Sequence, residues 1–269
     1  MHAHRALFDA HAERWVAALP QGNLYAPMAY LLGLPAKRVR PLLTLMACEL
    51  FGGKPADALD EALGIEVFHN FTLMHDDIMD ASPTRRGRPT VHVKWGTPTA
   101  ILSGDAMLVK AHGLMNADRR IAEAFGQHAL LVCEGQQLDM DFEQRTDVTL
   151  AAYTEMIRQK TAVLLACALR IGAIKAGASS AQQDLIGAFG EYLGLAFQLR
   201  DDLLDAFGDP ALTGKEQGRD LRNGKKTWLL LRGLELEALN GGHLLRNQLT
   251  MEAAHRDVRA MATTLRSSG

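Results

Sequence analysis

The sequence predicts an all-α fold: a single domain over residues 1–269, built as a bundle of about ten helices around a central cavity. Three observations predict it. The 269 residues are 48 % apolar but only 6 % aromatic, and only 9 are proline, a balance that favours helix. Apolar residues recur at helical spacing through Leu59 to Met79, Ala100 to Met115, Ala152 to Ala176 and Ala181 to Phe207. No strand-like alternation of useful length, low-complexity linker or composition shift interrupts them. The chain is long enough to bury most of its apolar surface as one unit.

Each element follows from its own stretch. "MHAHRALFDAHAERW" reads as a polar amphipathic helix and lacks the apolar core of a secretory signal. "GLPAKRVRP" breaks the pattern before the helix from Leu59 to Met79. "SPTRRGRPTVH" and "KWGTPT" separate that helix from the one at Ala100 to Met115. "KAGASSA" ends the helix from Ala152 to Ala176. "FGDPALTGKEQGRDLRNGKK", the longest break, follows Phe207. Long loops hung on rigid helices are common places for function.

The formal net charge of −2 argues against a general nucleic-acid binder. Cys48, Cys133 and Cys167 are odd in number and widely spaced. They read as buried thiols of a reducing, cytoplasmic compartment. No apolar run approaches the roughly 20 residues that a membrane span needs. The best stretch, Ala162 to Ala176, contains Arg170 and Lys175.

Two acidic clusters stand out, "MHDDIMD" and "QLRDDLLD". On a helix, positions i and i+4 share a face, so Asp76 pairs with Asp80 and Asp201 with Asp205. Asp77 and Asp202 lie beside them. The preceding turns, "VFHNFTLM" and "YLGLAFQL", are apolar, so the carboxylates end buried helices and do not form a solvated stripe. Two carboxylates about 4 Å apart repel by roughly 4 kcal/mol at an effective dielectric of 20, a large share of a domain's net stability. Cations are therefore implied. Hard oxygen donors suit Mg²⁺, which keeps waters and bridges carboxylates to phosphates. Two facing clusters would hold a metal–diphosphate from both sides. The basic residues fit that reading: Lys37, Arg38 and Arg40; Arg85, Arg86 and Arg88; Lys160 before Thr161; and Lys215. Arg binds phosphate in a bidentate manner and Lys acts as a point charge. His69 lies two turns before Asp76 on the same face.

With these residues in place, the chain resembles the trans-isoprenyl diphosphate synthases of the polyprenyl synthetase family, in particular the short-chain farnesyl and geranylgeranyl diphosphate synthases. The likeness rests on "KRVRP", "HNFTLMHDDIMDASPTRRGRPTVH", "SGDAML", "EGQQLDM", "MIRQKTAVLL", "FQLRDDLLD" and "GKEQGRDLRNGKKT", which occur in the family's order. It implies a prenyltransferase with three Mg²⁺ ions, acting as a homodimer. It implies that an allylic diphosphate binds through metal to Asp76, Asp80 and Asp201, with Asp77 and Asp205 as further ligands and Arg85, Lys160 and Lys215 assisting. Isopentenyl diphosphate would bind Lys37, Arg40, His69 and Arg86. Gln198 and the Lys160–Thr161 backbone would place partial negative charge near the allylic cation. Phe71 and Thr72, about one turn before Asp76, would floor the tail pocket and keep the product at C15–C20. Pro35 and Ala36 depart from the family, which has glycines there, and the stretch after the closing loop is short. A terpene cyclase of the same fold would need a different second metal motif. A non-catalytic subunit would be expected to lose acids from one cluster, and a structural bundle would leave the basic loops unexplained.

Overall fold

The computed structural model describes residues 1–209 and 217–268. It is all-α, as the sequence predicts. The helices are α1 (His2–Ala17), α2 (Ala26–Leu32), α3 (Val39–Leu50), α4 (Leu59–Met79), α5 (Val91–Trp95), α6 (Thr97–Met115), α7 (Arg119–Gln144), α8 (Leu150–Ile157), α9 (Val163–Lys175), α10 (Ser180–Phe207), α11 (Arg219–Asn223), α12 (Trp228–Leu239), α13 (Leu244–Leu249) and α14 (Val258–Ser267). A π-helical turn, Arg158–Ala162, joins α8 to α9. The described residues thus form more helices than the ten or so expected. The additions are short: α2, α5, α11 and α13 have 7, 5, 5 and 6 residues. Pieces of that length carry no periodicity to read, and packing must hold them.

The chain gathers into two compact units, Met1–Ala129 with Leu164–Gly190, and Leu130–Val163 with Glu191–Gly269. In the first unit α4 packs most extensively on α6. Leu63, Ile65, Val67, Phe68 and Met74 of α4 are fully buried. Burying each such side chain contributes about 1.5–3 kcal/mol. A helix apolar around most of its circumference must lie inside, so the acids at its end emerge from a core helix. Two earlier acids of the helix are also buried and paired: Glu61, in its first turn, with Lys175 at 2.5 Å, and Glu66 with Arg38 at 2.6 Å.

In the second unit one apolar cluster joins Phe142, Val148, Tyr153, Met156, Ile157 and Leu231. Another joins Ala206, Leu221, Leu230, Leu245, Met261 and Leu265. Side-chain caps set the helix starts. Thr149 accepts from the Ala152 amide, Thr227 from Leu230 and Asp257 from Ala260. The buried Glu237 carboxylate accepts from the Leu245 and Arg246 amides at 2.7 and 3.1 Å. These caps satisfy amides that a helix start otherwise leaves without partners.

Candidate active site

In the first unit, Asp76 and Asp77 occupy the last turn of α4, and Asp80 caps it. The two neighbours differ sharply. Asp77 is 2 % exposed, and both its oxygens accept from Arg85 Nε at 2.9 Å. Arg85 Nη2 lies 2.8 Å from Asp77 Oδ1 and 3.6 Å from Asp76 Oδ2. Burial pushes the Asp77 carboxyl up, and Arg85 pulls against it. Asp77, expected among the metal ligands, engages an arginine with both of its oxygens here.

Arg85 is delivered by a short ribbon inside the stretch that reads from sequence as a loop. Thr84–Arg85 (β1) pairs antiparallel with Arg88–Pro89 (β2). Arg86 and Gly87 between them have φ of 53° and 72°, the double positive φ of a tight type I′ hairpin. The Thr90 hydroxyl donates to Ser82 O at 2.8 Å and closes the base of this ribbon. An Arg–Gly pair between two short polar arms was the available signal.

Around this ribbon the structure gathers positive charge. Arg40 Nη1 lies 3.1 Å from His69 Nε2. Arginine can only donate, so Nε2 accepts and the imidazole is neutral, with its proton on Nδ1. Burial, then the charges of Arg40, Arg86, Arg85 and Arg38, hold His69 well below its ordinary 6.5. Burial lowers Arg40 to about 10, against the pull of Glu66; burial, helped by the charges of Arg38 and Arg85 and opposed by Glu66 and Asp77, also lowers Arg86. Glu66, which sequence reasoning missed, lies beneath this group and takes hydrogen bonds from Arg38 and from Asn70 Nδ2 at 2.6 and 3.2 Å. Lys37 is exposed at the start of the same segment. Phe71 is 8 % exposed, with its ring 5.5 Å from Phe68 and 4.8 Å from His75. The Thr72 hydroxyl donates to His69 O at 2.8 Å.

In the second unit, Lys160 and Thr161 sit on the π-helical turn, a wide turn often kept at functional sites. Gly135 of α7 makes that turn possible. A Cβ there would lie 2.7 Å from Gln159 C and from Lys160 Cα. Lys160 Nζ reaches Asp139 Oδ2 at 2.6 Å, and Lys225 Nζ reaches the same oxygen at 3.3 Å. Burial raises the Asp139 carboxyl, but Lys225 and Lys160 together outweigh it and hold it below its ordinary range. Asp139 and Lys225 were not among the expected site residues, although Asp139 lies within "EGQQLDM". The Thr161 hydroxyl donates to Gln198 Oε1 at 3.1 Å. Asp201 and Asp205 are half-buried on α10, and Asp205 Oδ2 accepts from the Asp220 amide at 3.0 Å. Lys215 lies outside the described residues. Among the described residues no three carboxylate, imidazole or thiolate side chains converge as a ready-made metal site.

A model of the polyprenyl synthetases matches residues 21–265. The chain belongs to the polyprenyl synthetase family. It is 41 % identical over 233 residues to the short chain isoprenyl diphosphate synthase of Methanothermobacter thermautotrophicus, covering 84 % of this chain and 72 % of that one. It is 37 % identical to the geranylgeranyl diphosphate synthase of Methanosarcina mazei, covering 94 % and 80 %. A crystal structure of a geranylgeranyl pyrophosphate synthase superposes with a TM-score of 0.95 at 44 % identity, over 100 % of this chain and 85 % of that one. The corresponding enzyme of Pyrococcus horikoshii superposes at 0.88 with 33 % identity, over 98 % and 83 %. Like these family members, the chain is a prenyltransferase of the short-chain, chain-elongating class. Neither a cyclase nor a non-catalytic subunit finds support among these relatives. Among the described residues no helix is long and apolar enough to cross a membrane.

Proposed function

We propose that the enzyme condenses isopentenyl diphosphate with an allylic diphosphate to give a C15–C20 prenyl diphosphate. The observation that carries this is Arg40 bonded to a neutral His69, within the field of Arg85 and Arg86, with Arg85 itself reaching the acidic end of α4. Clustered guanidinium groups and a neutral imidazole suit a multiply charged anion. Lys37, Arg40, His69 and Arg86 would hold isopentenyl diphosphate. Asp76, Asp80, Asp201 and Asp205 offer hard oxygen donors that fit Mg²⁺, which is commonly completed by substrate phosphates. When bound, Mg²⁺ offsets the negative charge that grows on the departing diphosphate. Arg85 has a different task. Locked onto Asp77, it holds its guanidinium rigid beside Asp76, and Asp77 acts as its anchor in place of the expected metal contact.

Lys160 and Lys225 would share the leaving group's charge. In this reading Asp139 keeps the two ammonium groups side by side before substrate arrives. Ionisation of the allylic C–O bond leaves a cation, which the isopentenyl double bond attacks. Gln198 Oε1 and the Thr161 hydroxyl oxygen face that cation with partial negative charge, and the departing diphosphate takes the proton. Phe71, backed by Phe68 and His75, would limit the tail. Phe71→Ala should lengthen the main product by one isoprene unit; unchanged chromatographic retention of the product alcohols would remove Phe71 from this role. A cytoplasmic homodimer is part of the proposal. The cysteines are unpaired, with Cys48 and Cys167 buried but Cys133 exposed where a buried thiol was expected; these and exposed Leu185 and Phe189, at 73 % and 55 %, support it. The test of the whole is incubation with isopentenyl diphosphate, Mg²⁺ and dimethylallyl, geranyl or farnesyl diphosphate. Condensation to C15–C20 products is expected, and no product from any primer would refute it.

A further inference from the structure

We infer that Asp202 is a positioning residue which, anchored by Tyr153, fixes the side-chain amide of Gln198 in a single orientation. Asp202 belongs to an acidic cluster and invites assignment as a metal ligand, but its surroundings are different from those of its neighbours. It is 5 % exposed, while Asp201 and Asp205 are half-buried. Oδ1 accepts from Gln198 Nε2 at 3.0 Å, and Oδ2 accepts from the Tyr153 hydroxyl. Both carboxylate oxygens are thus engaged by protein donors. The register explains why. Successive helical residues turn by about 100°, so Asp202 is rotated off the Asp201–Asp205 stripe and shares a face with Gln198, four positions back.

Gln198 is held at both ends. Its amide donates to Asp202, and its Oε1 accepts from the Thr161 hydroxyl. A flipped amide would set Oε1 against the Asp202 anion, two acceptors with no proton between them. It would also leave the amide nitrogen with only a hydroxyl oxygen to meet. The carboxylate therefore selects one of the two amide orientations. Tyr153 is in turn fixed by the core: it is 2 % exposed and packs with Phe142, Met156, Ile157 and Leu231. The line from core to reacting centre runs Tyr153, Asp202, Gln198, Thr161. A carbonyl oxygen has two lone pairs, and Thr161 uses one. The other is left to face developing positive charge. This inference rests on the role proposed above for Gln198.

Asp202→Asn is the sharp test, because an asparagine both donates and accepts and so permits either orientation of Gln198. It should lower kcat about 100-fold, the scale of a small misplacement of a reacting group. KM for both diphosphates and the Mg²⁺ concentration for half-maximal rate should change less than about twofold, since bound-state contacts are kept. Tyr153→Phe retains the packed ring and should lose about tenfold in kcat, by the loss of one hydrogen bond. The double variant should lose less than the product of the two, because both act through one carboxylate. A rise in Mg²⁺ requirement for Asp202→Asn matching that of Asp201→Asn would make Asp202 a metal ligand and overturn the inference. Full kcat in Asp202→Asn alongside a large loss in Gln198→Ala would also overturn it, and would leave the proposed reaction standing. Full kcat in Gln198→Ala would remove the role of Gln198 and the inference with it.

Discussion

The two acidic clusters have the same spacing, yet the protein treats them differently. In each, the middle aspartate is the buried one, Asp77 at 2 % and Asp202 at 5 % exposure. In each, the outer pair shares the other face. Helical geometry alone accounts for that division. What meets the buried carboxylate differs. Asp77 meets a guanidinium carried by a hairpin eight residues on. Asp202 meets two neutral donors, an amide on its own helix and a tyrosine 49 residues back. A charged partner offsets a buried anion more strongly than neutral donors do, so the first cluster ties charge to charge. The second uses its buried carboxylate to orient an uncharged group.

Four measurements distinguish the two clusters. Asp76→Ala and Asp201→Ala should each reduce turnover at least 100-fold, the scale of losing one electrostatic stabiliser. Asp60→Ala, on the exposed rim of the same helix as Asp76, should leave turnover intact. Equal losses in all three, followed by steady-state kinetics, would show that position in the motif is irrelevant. Next in size is Arg85→Ala, which strands a buried carboxylate. It should cost about 3 kcal/mol in urea unfolding, with much of the loss recovered in the Arg85→Ala/Asp77→Asn double variant. Tyr153→Phe should cost only about 1–2 kcal/mol in the same assay, because a neutral donor is lost. If the two losses come out alike, the contrast between charged and neutral partners fails.

The smallest effect is in pH. His69 is held neutral well below 6.5 in the folded chain, whereas the unfolded chain takes up a proton near 6.5. The unfolded state then binds more protons at low pH. The contribution of His69 to stability is full above 6.5 and declines as pH falls below it, by at most about 1.4 kcal/mol per pH unit. The melting temperature of His69→Gln should therefore fall less between pH 7.5 and 5.5 than that of the parent. Parallel melting curves would show that burial and the cationic surroundings of the first cluster do not hold this histidine neutral.

Much of this was legible in the sequence. The all-α class followed from periodicity over long helices such as α4 and α10. The i, i+4 aspartate pairs, their apolar flanks and the order of the basic motifs led to the family. Other features were not legible, for local reasons. The β1–β2 hairpin is too short for alternation to register. The π-turn at Arg158–Ala162 depends on the absence of a Cβ at Gly135, far away in sequence. No local pattern marks Glu66 as the partner of Arg38, 28 residues earlier. Nor does any local pattern tie Asp139 to Lys160 and Lys225.

Which residues carry charge, which of them share a helical face and which family the chain belongs to all depend on spacings of a few residues, and so are written locally in the chain. What each buried acid meets is set by packing: Arg85 for Asp77, Tyr153 and Gln198 for Asp202, two lysines for Asp139. The physical reason is that a buried carboxylate must find its donors somewhere in the fold. Those donors come from other turns and other helices, and no local pattern encodes which one packing brings within three ångströms.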